Sequence, residues 1–232
     1  MTDIVHMWHD RRGEGDPVAL LHGGLTDGRC FTGNLDGLAD MFEIYLPDRR
    51  GHGRTPDAPG PITMELMAQD VIAFLEQTVG GPARLVGYSA GGTVALRVAM
   101  RRPDLVERLV HVSAAYDLDG LIFKPSADGE PPREIVDAYA EVSPDGCDHF
   151  PVVIGKIAHA AATEPGLDPA ELGAVTTRTL VLAGDDDLVT LDHTVALYRA
   201  LPDAELAVLP NASHLLLTEH AEAVRAMESR RR

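Results

Sequence analysis

The sequence predicts an α/β protein whose mostly parallel, doubly wound sheet carries a small helical insertion. Short apolar runs typical of buried strands alternate with longer runs of helical periodicity, which is the pattern of a parallel sheet covered by helices. A Gly-x-Ser-x-Gly pentapeptide at residues 87–91 lies between one strand-like run and one helix-like run. A proline-rich stretch, residues 114–177, interrupts the alternation.

Six strands are predicted from short apolar runs that end in glycine, proline or a polar loop. They lie at residues 18–22, 42–46, 83–86, 105–112, 179–183 and 204–209. The chain before Val18 has room for one further strand. Because helix-like runs separate most of these strands, the sheet is expected to be parallel.

The helices are expected between these strands. Thr63 is predicted to cap the first one, since a threonine hydroxyl can accept a hydrogen bond from a backbone N–H of the first turn. An apolar face follows it, formed by Leu66, Val71, Phe74 and Leu75. Further helices are predicted at residues 92–100, at 195–201 and from 215 onward.

Residues 114–177 form too long a stretch for a loop without secondary structure in a compact domain. Helical pieces are predicted within it at 133–142 and 152–162. We therefore expect a helical cap over the edge of the sheet, with residues 1–113 and 178–232 forming the core. A partly disordered linker is the alternative, and the apolar faces of the helical pieces oppose it.

The composition excludes some classes of binding partner. The net charge of −16 opposes nucleic-acid binding, which needs a basic face. No apolar run approaches the roughly 20 residues of a membrane span, and the N-terminus lacks a signal-peptide pattern. Cys30 and Cys147 are expected to be free thiols in a cytoplasmic protein. We expect a small-molecule substrate as the partner and no association with membranes. The composition does not indicate the oligomeric state.

The pentapeptide reads Gly-Tyr-Ser-Ala-Gly, with Ser89 at its centre. A sharp turn from strand to helix strains the serine backbone and leaves no room for side chains two residues to either side. The turn exposes the serine hydroxyl at the positive end of a helix, where an oxyanion can be stabilised. Ser89 is therefore the candidate nucleophile.

A serine hydroxyl needs a base to take its proton, and the base needs an acid to orient it. Asp187 follows the fifth predicted strand and His214 follows the sixth. The order Ser, Asp, His is the one used with this strand–turn–helix element. Ser89, Asp187 and His214 are therefore the predicted catalytic residues.

Four motifs occur in order along the chain: His-Gly-Gly at 22–24, Asp-Arg-Arg-Gly-His-Gly-Arg-Thr at 48–55, the pentapeptide, and Gly-x-x-Asp at 184–187 with His214 after it. Together they resemble the α/β-hydrolase superfamily over nearly the whole chain. The resemblance implies the α/β-hydrolase fold with a small helical cap.

The resemblance also selects among candidate residues. Its pattern places the acid three residues after Gly184, which favours Asp187 over Asp185 and Asp186. Asp117, just after the fourth strand, remains an alternative, because some hydrolases of this fold carry their acid there.

The oxyanion is expected to be held by backbone N–H groups. The resemblance implies Ala90 and Gly24 as the donors, with Leu25 as the second choice for the latter.

The ten histidines show neither an H-x-H nor an H-E-x-x-H pattern, and we expect no metal ion and no cofactor. His22 and His52 are predicted to be hydrogen-bonding loop residues. His111 is predicted to lie in the core. His193 and His220 are predicted to lie on the surface.

The function predicted first is hydrolysis of small carboxylic esters through an acyl-enzyme on Ser89. Relatives that need aspartate as the nucleophile, the haloalkane dehalogenases and soluble epoxide hydrolases, are excluded. One alternative is cleavage of carbon–carbon bonds in ring-fission products, which a cation in the pocket would favour, with Lys124 and Lys156 as candidates. The other alternative is a non-catalytic ligand receptor with the same fold.

Overall fold

The computed structural model describes residues 4–122 and 131–224. A seven-stranded sheet forms its centre, with strands β1 (His9–Arg12), β2 (Asp16–Leu21), β3 (Phe42–Pro47), β4 (Ala83–Tyr88), β5 (Val106–Val112), β6 (Thr179–Asp186) and β7 (Ala204–Ser213). The strand order is β1-β3-β2-β4-β5-β6-β7. Only β1 is antiparallel to its neighbour, so the mostly parallel α/β fold is confirmed.

Each predicted strand is present, and β1 occupies the room left before Val18. The described helices are α1 (Met64–Phe74), α2 (Ala90–Arg101), α3 (Arg133–Val142), α4 (Phe150–Thr163), α5 (Pro169–Leu172), α6 (Leu191–Ala200) and α7 (Leu216–Glu219). The Thr63 hydroxyl caps α1 as predicted, accepting the Leu66 N–H at 3.1 Å. The helix expected at 195–201 begins earlier, at Leu191, because the Thr190 hydroxyl caps it.

The sheet is covered on both faces, which explains why its strands are continuous apolar runs rather than alternating ones. On one face Val71 of α1 and Val94 of α2 are fully buried against it. On the other face, Phe31 and Leu35 from the turns after β2 and Leu216 of α7 are fully buried. Burial of each such side chain stabilises the fold by about 1.5–3 kcal/mol.

Helices α3, α4 and α5 all lie in the segment between β5 and β6, and the predictions of helices at 133–142 and 152–162 are confirmed. Several ion pairs join this segment to the rest of the chain. Arg29 contacts Glu141 at 2.6 Å, and Lys156 contacts Asp57 at 2.5 Å. The division of the chain into a core and a cap stays a prediction.

The parallel strands direct their carboxyl ends to one edge of the sheet, where open α/β sheets place their ligands. The loops after β2, β4, β5, β6 and β7 meet there and carry the predicted site residues. Within the described ranges, no helix combines the length and the apolar character that crossing a bilayer requires.

Candidate active site

Ser89 lies in the turn between β4 and α2, with φ 52° and ψ −126°. Positive φ is uncommon for a residue with a side chain, and it places Ser89 at the N-cap of α2. The Ser89 N–H donates to the carbonyl of Val112 at 2.9 Å, which fixes the strained turn to the neighbouring strand.

The two pentapeptide glycines are required by close backbone contacts. A Cβ at Gly87 would lie 2.5 Å from the carbonyl oxygen of Gly91. A Cβ at Gly91 would collide with the carbonyl oxygen of Leu21 and would lie 2.5 Å from that of His22. The start of α2 therefore packs directly against the end of β2, and this contact presents the Ser89 hydroxyl at the edge of the sheet.

The three residues predicted to act together are joined by hydrogen bonds. The Ser89 Oγ lies 3.0 Å from Nε2 of His214, and Nδ1 of His214 lies 2.7 Å from Oδ1 of Asp187. The Asp187 side chain is fully buried, whereas that of His214 is 17% exposed. A neutral His214 with its proton on Nδ1 donates to Asp187 and accepts from Ser89.

Asp187 is held in its charged form by several donors. Its second oxygen accepts the Ser113 hydroxyl at 2.5 Å, and the backbone N–H groups of Gly184 and Val189 lie 3.3 Å from the carboxylate. Burial acts to raise the pKa of Asp187, but the hydrogen bonds from His214 and Ser113 outweigh it and hold the pKa below its ordinary value. Asp187 is therefore ionised at neutral pH.

Ser113 is a site residue that sequence reasoning missed. It follows β5, is buried and has φ 48°. The available signal was a small polar residue directly after an apolar strand, at the edge where the other site residues lie.

The other candidate carboxylates do not bind His214. Asp117 lines the same cavity as Ser89, but its carboxylate accepts the backbone N–H of Asp119 at 2.7 Å. Asp185 accepts the N–H of Ala212 at 3.1 Å, and Asp186 is exposed. The structure joins His214 to Asp187 rather than to any of these three.

The predicted oxyanion donors lie beside the nucleophile. Gly24, Leu25 and Ala90 line the same cavity as Ser89, and a Cβ built on Gly24 would lie 3.8 Å from that of Ala90. In the described part of the chain, no group accepts a hydrogen bond from the N–H of Gly24 or from that of Ala90, so both are available to a substrate oxygen. Leu25 has φ 56°, and this turn brings its side chain to the cavity wall.

The cavity has a volume of about 510 Å³. Ser89, Thr93 and Arg97 line it from successive turns of α2, so it extends for about 12 Å along that helix. The rest of the wall is mainly aliphatic and sulfur-containing: Leu25, Ile62, Met64, Met67, Leu121, Ile154, Ile157 and Leu188.

A family model described as "Alpha/beta hydrolase family" matches residues 18–227. The chain belongs to the alpha/beta hydrolase family. Lipase LipV of Mycobacterium tuberculosis is 34% identical over 172 residues, which cover 73% of this chain and 61% of LipV. "Putative carbamate hydrolase RutD" of Variovorax paradoxus is 32% identical over 87% of this chain and 85% of its own.

Structural similarity agrees with the family. A thermophilic esterase from Thermogutta terrifontis superimposes with a TM-score of 0.74 at 26% identity, covering 97% of this chain and 92% of the esterase. The matched region spans less than two thirds of LipV but most of RutD and of the esterase. At this level the chain is a hydrolase of the alpha/beta family.

Among the described residues that line the cavity of this alpha/beta hydrolase, Arg97 is the single arginine or lysine. Its guanidinium donates to the Pro165 carbonyl at 3.0 Å and lies 3.6 Å from the Glu164 carboxylate, so its charge is already balanced. Lys156 does not line the cavity, because it binds Asp57 instead. Lys124 lies outside the described residues.

His193 was predicted to lie on the surface, and the structure shows it half-buried. Its ring stacks on that of Tyr116 at 3.9 Å between centroids, and its Nε2 accepts the Tyr116 N–H at 3.2 Å. His193 thus packs against the loop after β5. Helical position alone did not reveal this contact, since Tyr116 is distant in sequence.

Three further histidines are buried and uncharged. Burial, reinforced by the nearby Arg49, lowers the pKa of His22 well below its ordinary value and that of His52 to about 3. Burial, with a smaller contribution from His193, lowers the pKa of His111 to about 4. His111 is a core residue, as predicted, and residues 4–122 and 131–224 hold no group of three or more potential metal ligands.

These histidines predict that the fold loses stability in acid. In the unfolded chain each would titrate near pH 6.5, well above its folded pKa. Their contribution to stability is therefore intact above about pH 6.5 and is lost as the pH falls toward the folded values, at about 1.4 kcal/mol per pH unit for each histidine. Urea unfolding between pH 7 and pH 5 measures this slope.

His111→Asn is the matched variant for this prediction, because it removes one buried titrating ring from β5. Its slope is expected to be lower than that of the natural chain by about 1.4 kcal/mol per pH unit. Equal slopes in the two proteins, or equal stability of the natural chain at pH 5 and pH 7, would contradict the assignment of neutral buried histidines.

Proposed function

We propose that this alpha/beta hydrolase is a serine hydrolase that cleaves small carboxylic esters through an acyl-enzyme on Ser89. The observation that carries the proposal is the hydrogen-bonded series Ser89–His214–Asp187, of which Ser89 and His214 line an apolar cavity. The names of LipV and of the Thermogutta esterase support ester chemistry.

In the first half of the reaction, Nε2 of His214 takes the proton of Ser89 as its oxygen attacks the ester carbonyl. The ionised Asp187 keeps the other His214 proton on Nδ1 and stabilises the charged ring that forms. His214 then gives its proton to the leaving alcohol. The acyl group stays on Ser89.

In the second half, water replaces the alcohol and His214 again acts as the base. Both tetrahedral intermediates carry a negative oxygen, and we assign the N–H groups of Gly24 and Ala90 as its donors. Their lack of another acceptor in the described chain supports this assignment. Each such donor lowers the barrier by about 3–4 kcal/mol.

We further propose that residues 114–177 act as a cap that shapes the acyl site. Ile154 and Ile157 of α4 line the cavity, and so does Leu121 in the loop after β5. These apolar walls favour an aliphatic acyl group over a charged one. The balanced charge of Arg97 gives no support to the ring-fission alternative, whose substrates carry a carboxylate.

Carbamate hydrolysis is a second candidate, favoured by the similarity to RutD over most of both chains. It would use the same serine and the same oxyanion donors. The two candidates differ in the acyl group that Ser89 releases, so a matched ester and carbamate with the same leaving group separate them.

The proposal is tested with a fluorophosphonate probe and a substrate pair. We expect the probe to label the folded protein on the peptide that contains Ser89, and heat-denatured protein to remain unlabelled. p-Nitrophenyl butyrate should be hydrolysed faster than p-nitrophenyl N-methylcarbamate. Labelling elsewhere would contradict the serine mechanism, and faster carbamate turnover would favour the second candidate.

A further inference from the structure

The carbonyl oxygen of Gly23 accepts three hydrogen bonds. Its donors are Nη2 of Arg49 at 2.8 Å, Nδ1 of His22 at 2.8 Å and the hydroxyl of Thr26 at 3.1 Å. The His22 proton lies on Nδ1, because Nε2 accepts the backbone N–H of Arg49 at 3.0 Å. Such a saturated carbonyl has one fixed orientation.

That orientation also fixes the next N–H. The Gly23 carbonyl and the Gly24 N–H belong to one planar trans peptide, so they point in opposite directions. With the oxygen held by three donors, of which Arg49 and His22 are buried, the N–H must face the other way. A Cβ built on Gly23 would lie 3.4 Å from that of Ser89, which places this peptide against the nucleophile.

Arg49 is an unusual donor for this purpose. Its side chain is fully buried, yet no acidic side chain in the described part of the chain pairs with it. It donates instead to the carbonyls of His22 and Gly23, both at 2.8 Å, and to the sulfur of Met67 at 3.1 Å. A buried charge without a counter-ion is costly for the fold, and the hydrogen bonds of Arg49 to the loop beside Ser89 are the interactions that offset this cost.

The neighbouring arginine shows the contrast. Arg50 is equally buried, but it forms a two-pronged ion pair with Asp70, at 2.5 and 2.7 Å. Of these two adjacent arginines, Arg50 therefore pairs with a carboxylate, whereas Arg49 donates to the loop beside Ser89.

We propose that Arg49 is a positioning residue which, through the Gly23 carbonyl, holds and polarises the Gly24 N–H as an oxyanion donor. This inference rests on the proposed serine mechanism. Arg49 touches neither substrate nor the reacting atoms, and it acts through the orientation of one peptide. Its loss should therefore weaken binding of the transition state and leave binding of the substrate unchanged.

The test compares Arg49→Lys and Arg49→Met with Arg50→Lys, which keeps a charge beside Asp70. For the Arg49 variants we expect kcat on p-nitrophenyl butyrate to fall about 10- to 100-fold, with Met below Lys, while KM stays within about threefold. Affinity for an alkyl boronic acid, which forms a tetrahedral adduct on serine, should fall by the same factor as kcat. Arg50→Lys should change the melting temperature alone.

Thr26→Val removes another donor to the Gly23 carbonyl from the surface of the loop, and it keeps the proposal testable if Arg49→Met does not fold. We expect a fall in kcat of about threefold, with a parallel loss of boronic acid affinity. Folded Arg49→Lys with unchanged kcat and boronic acid affinity would overturn the proposal while leaving the serine mechanism intact. A natural chain that neither hydrolyses the ester nor binds the boronic acid would overturn both.

Discussion

Replacement of Ser89 by alanine is expected to lower kcat/KM for p-nitrophenyl butyrate by about 10⁴-fold or more. The reason is that no other described hydroxyl hydrogen-bonds Nε2 of His214, so the variant has no nucleophile to acylate. The residual rate would come from water held near the oxyanion donors. Steady-state hydrolysis, corrected for the spontaneous rate, measures the change.

Ser143→Ala is the matched control, since Ser143 follows α3 and does not line the cavity. It should keep turnover within about twofold and should still react with the fluorophosphonate probe. Undiminished turnover by a Ser89→Ala protein that melts at the same temperature as the natural chain would contradict the serine mechanism.

The second large effect is expected for Asp187→Asn, with kcat lower by about 10⁴-fold. An asparagine amide can donate to Nδ1 of His214, which moves the ring proton to Nε2, and a protonated Nε2 cannot accept from Ser89. Since Asn is nearly the same size as Asp, substrate binding should change little. Measuring kcat and KM separately distinguishes this result from a general loss of folded protein.

Two further carboxylates provide the controls for Asp187. Asp186→Asn alters an exposed neighbour and should leave kcat within about twofold. Asp117→Asn should lower kcat by less than about tenfold, because its carboxylate is bonded to its own turn. If Asp117→Asn were the more damaging variant, the acid would have to be reassigned to the loop after β5.

Structural elements that are determined by residues close together in the sequence were predictable. The six strands are continuous apolar runs because the sheet is covered on both faces, and the Thr63 cap depends on residues within one turn of α1. The strand–turn–helix around Ser89 was equally clear, since its glycines are needed for contacts that any such turn makes. The geometry also brings Asp187 and His214 together, as their positions after two strands suggested.

Contacts between distant residues were not predictable. Ser113 contacts Asp187, and His193 stacks on Tyr116, only because the loop after β5 packs against the loop after β6 and the first turn of α6. The partner of Lys156 is Asp57, roughly a hundred positions away, and sequence gives no means of choosing it over the cavity. Charged and polar side chains accept many partners, so their pairing is decided by tertiary structure.

The buried neutral histidines have a consequence for enzymology. Reaction rates of serine hydrolases are commonly followed as the pH is lowered, and a declining limb is then assigned to the catalytic base. In this molecule, unfolding driven by His22, His52 and His111 would remove active protein over the same range. A pH–rate profile of this enzyme therefore needs unfolding curves recorded at each pH, because these separate the loss of folded protein from protonation of the base.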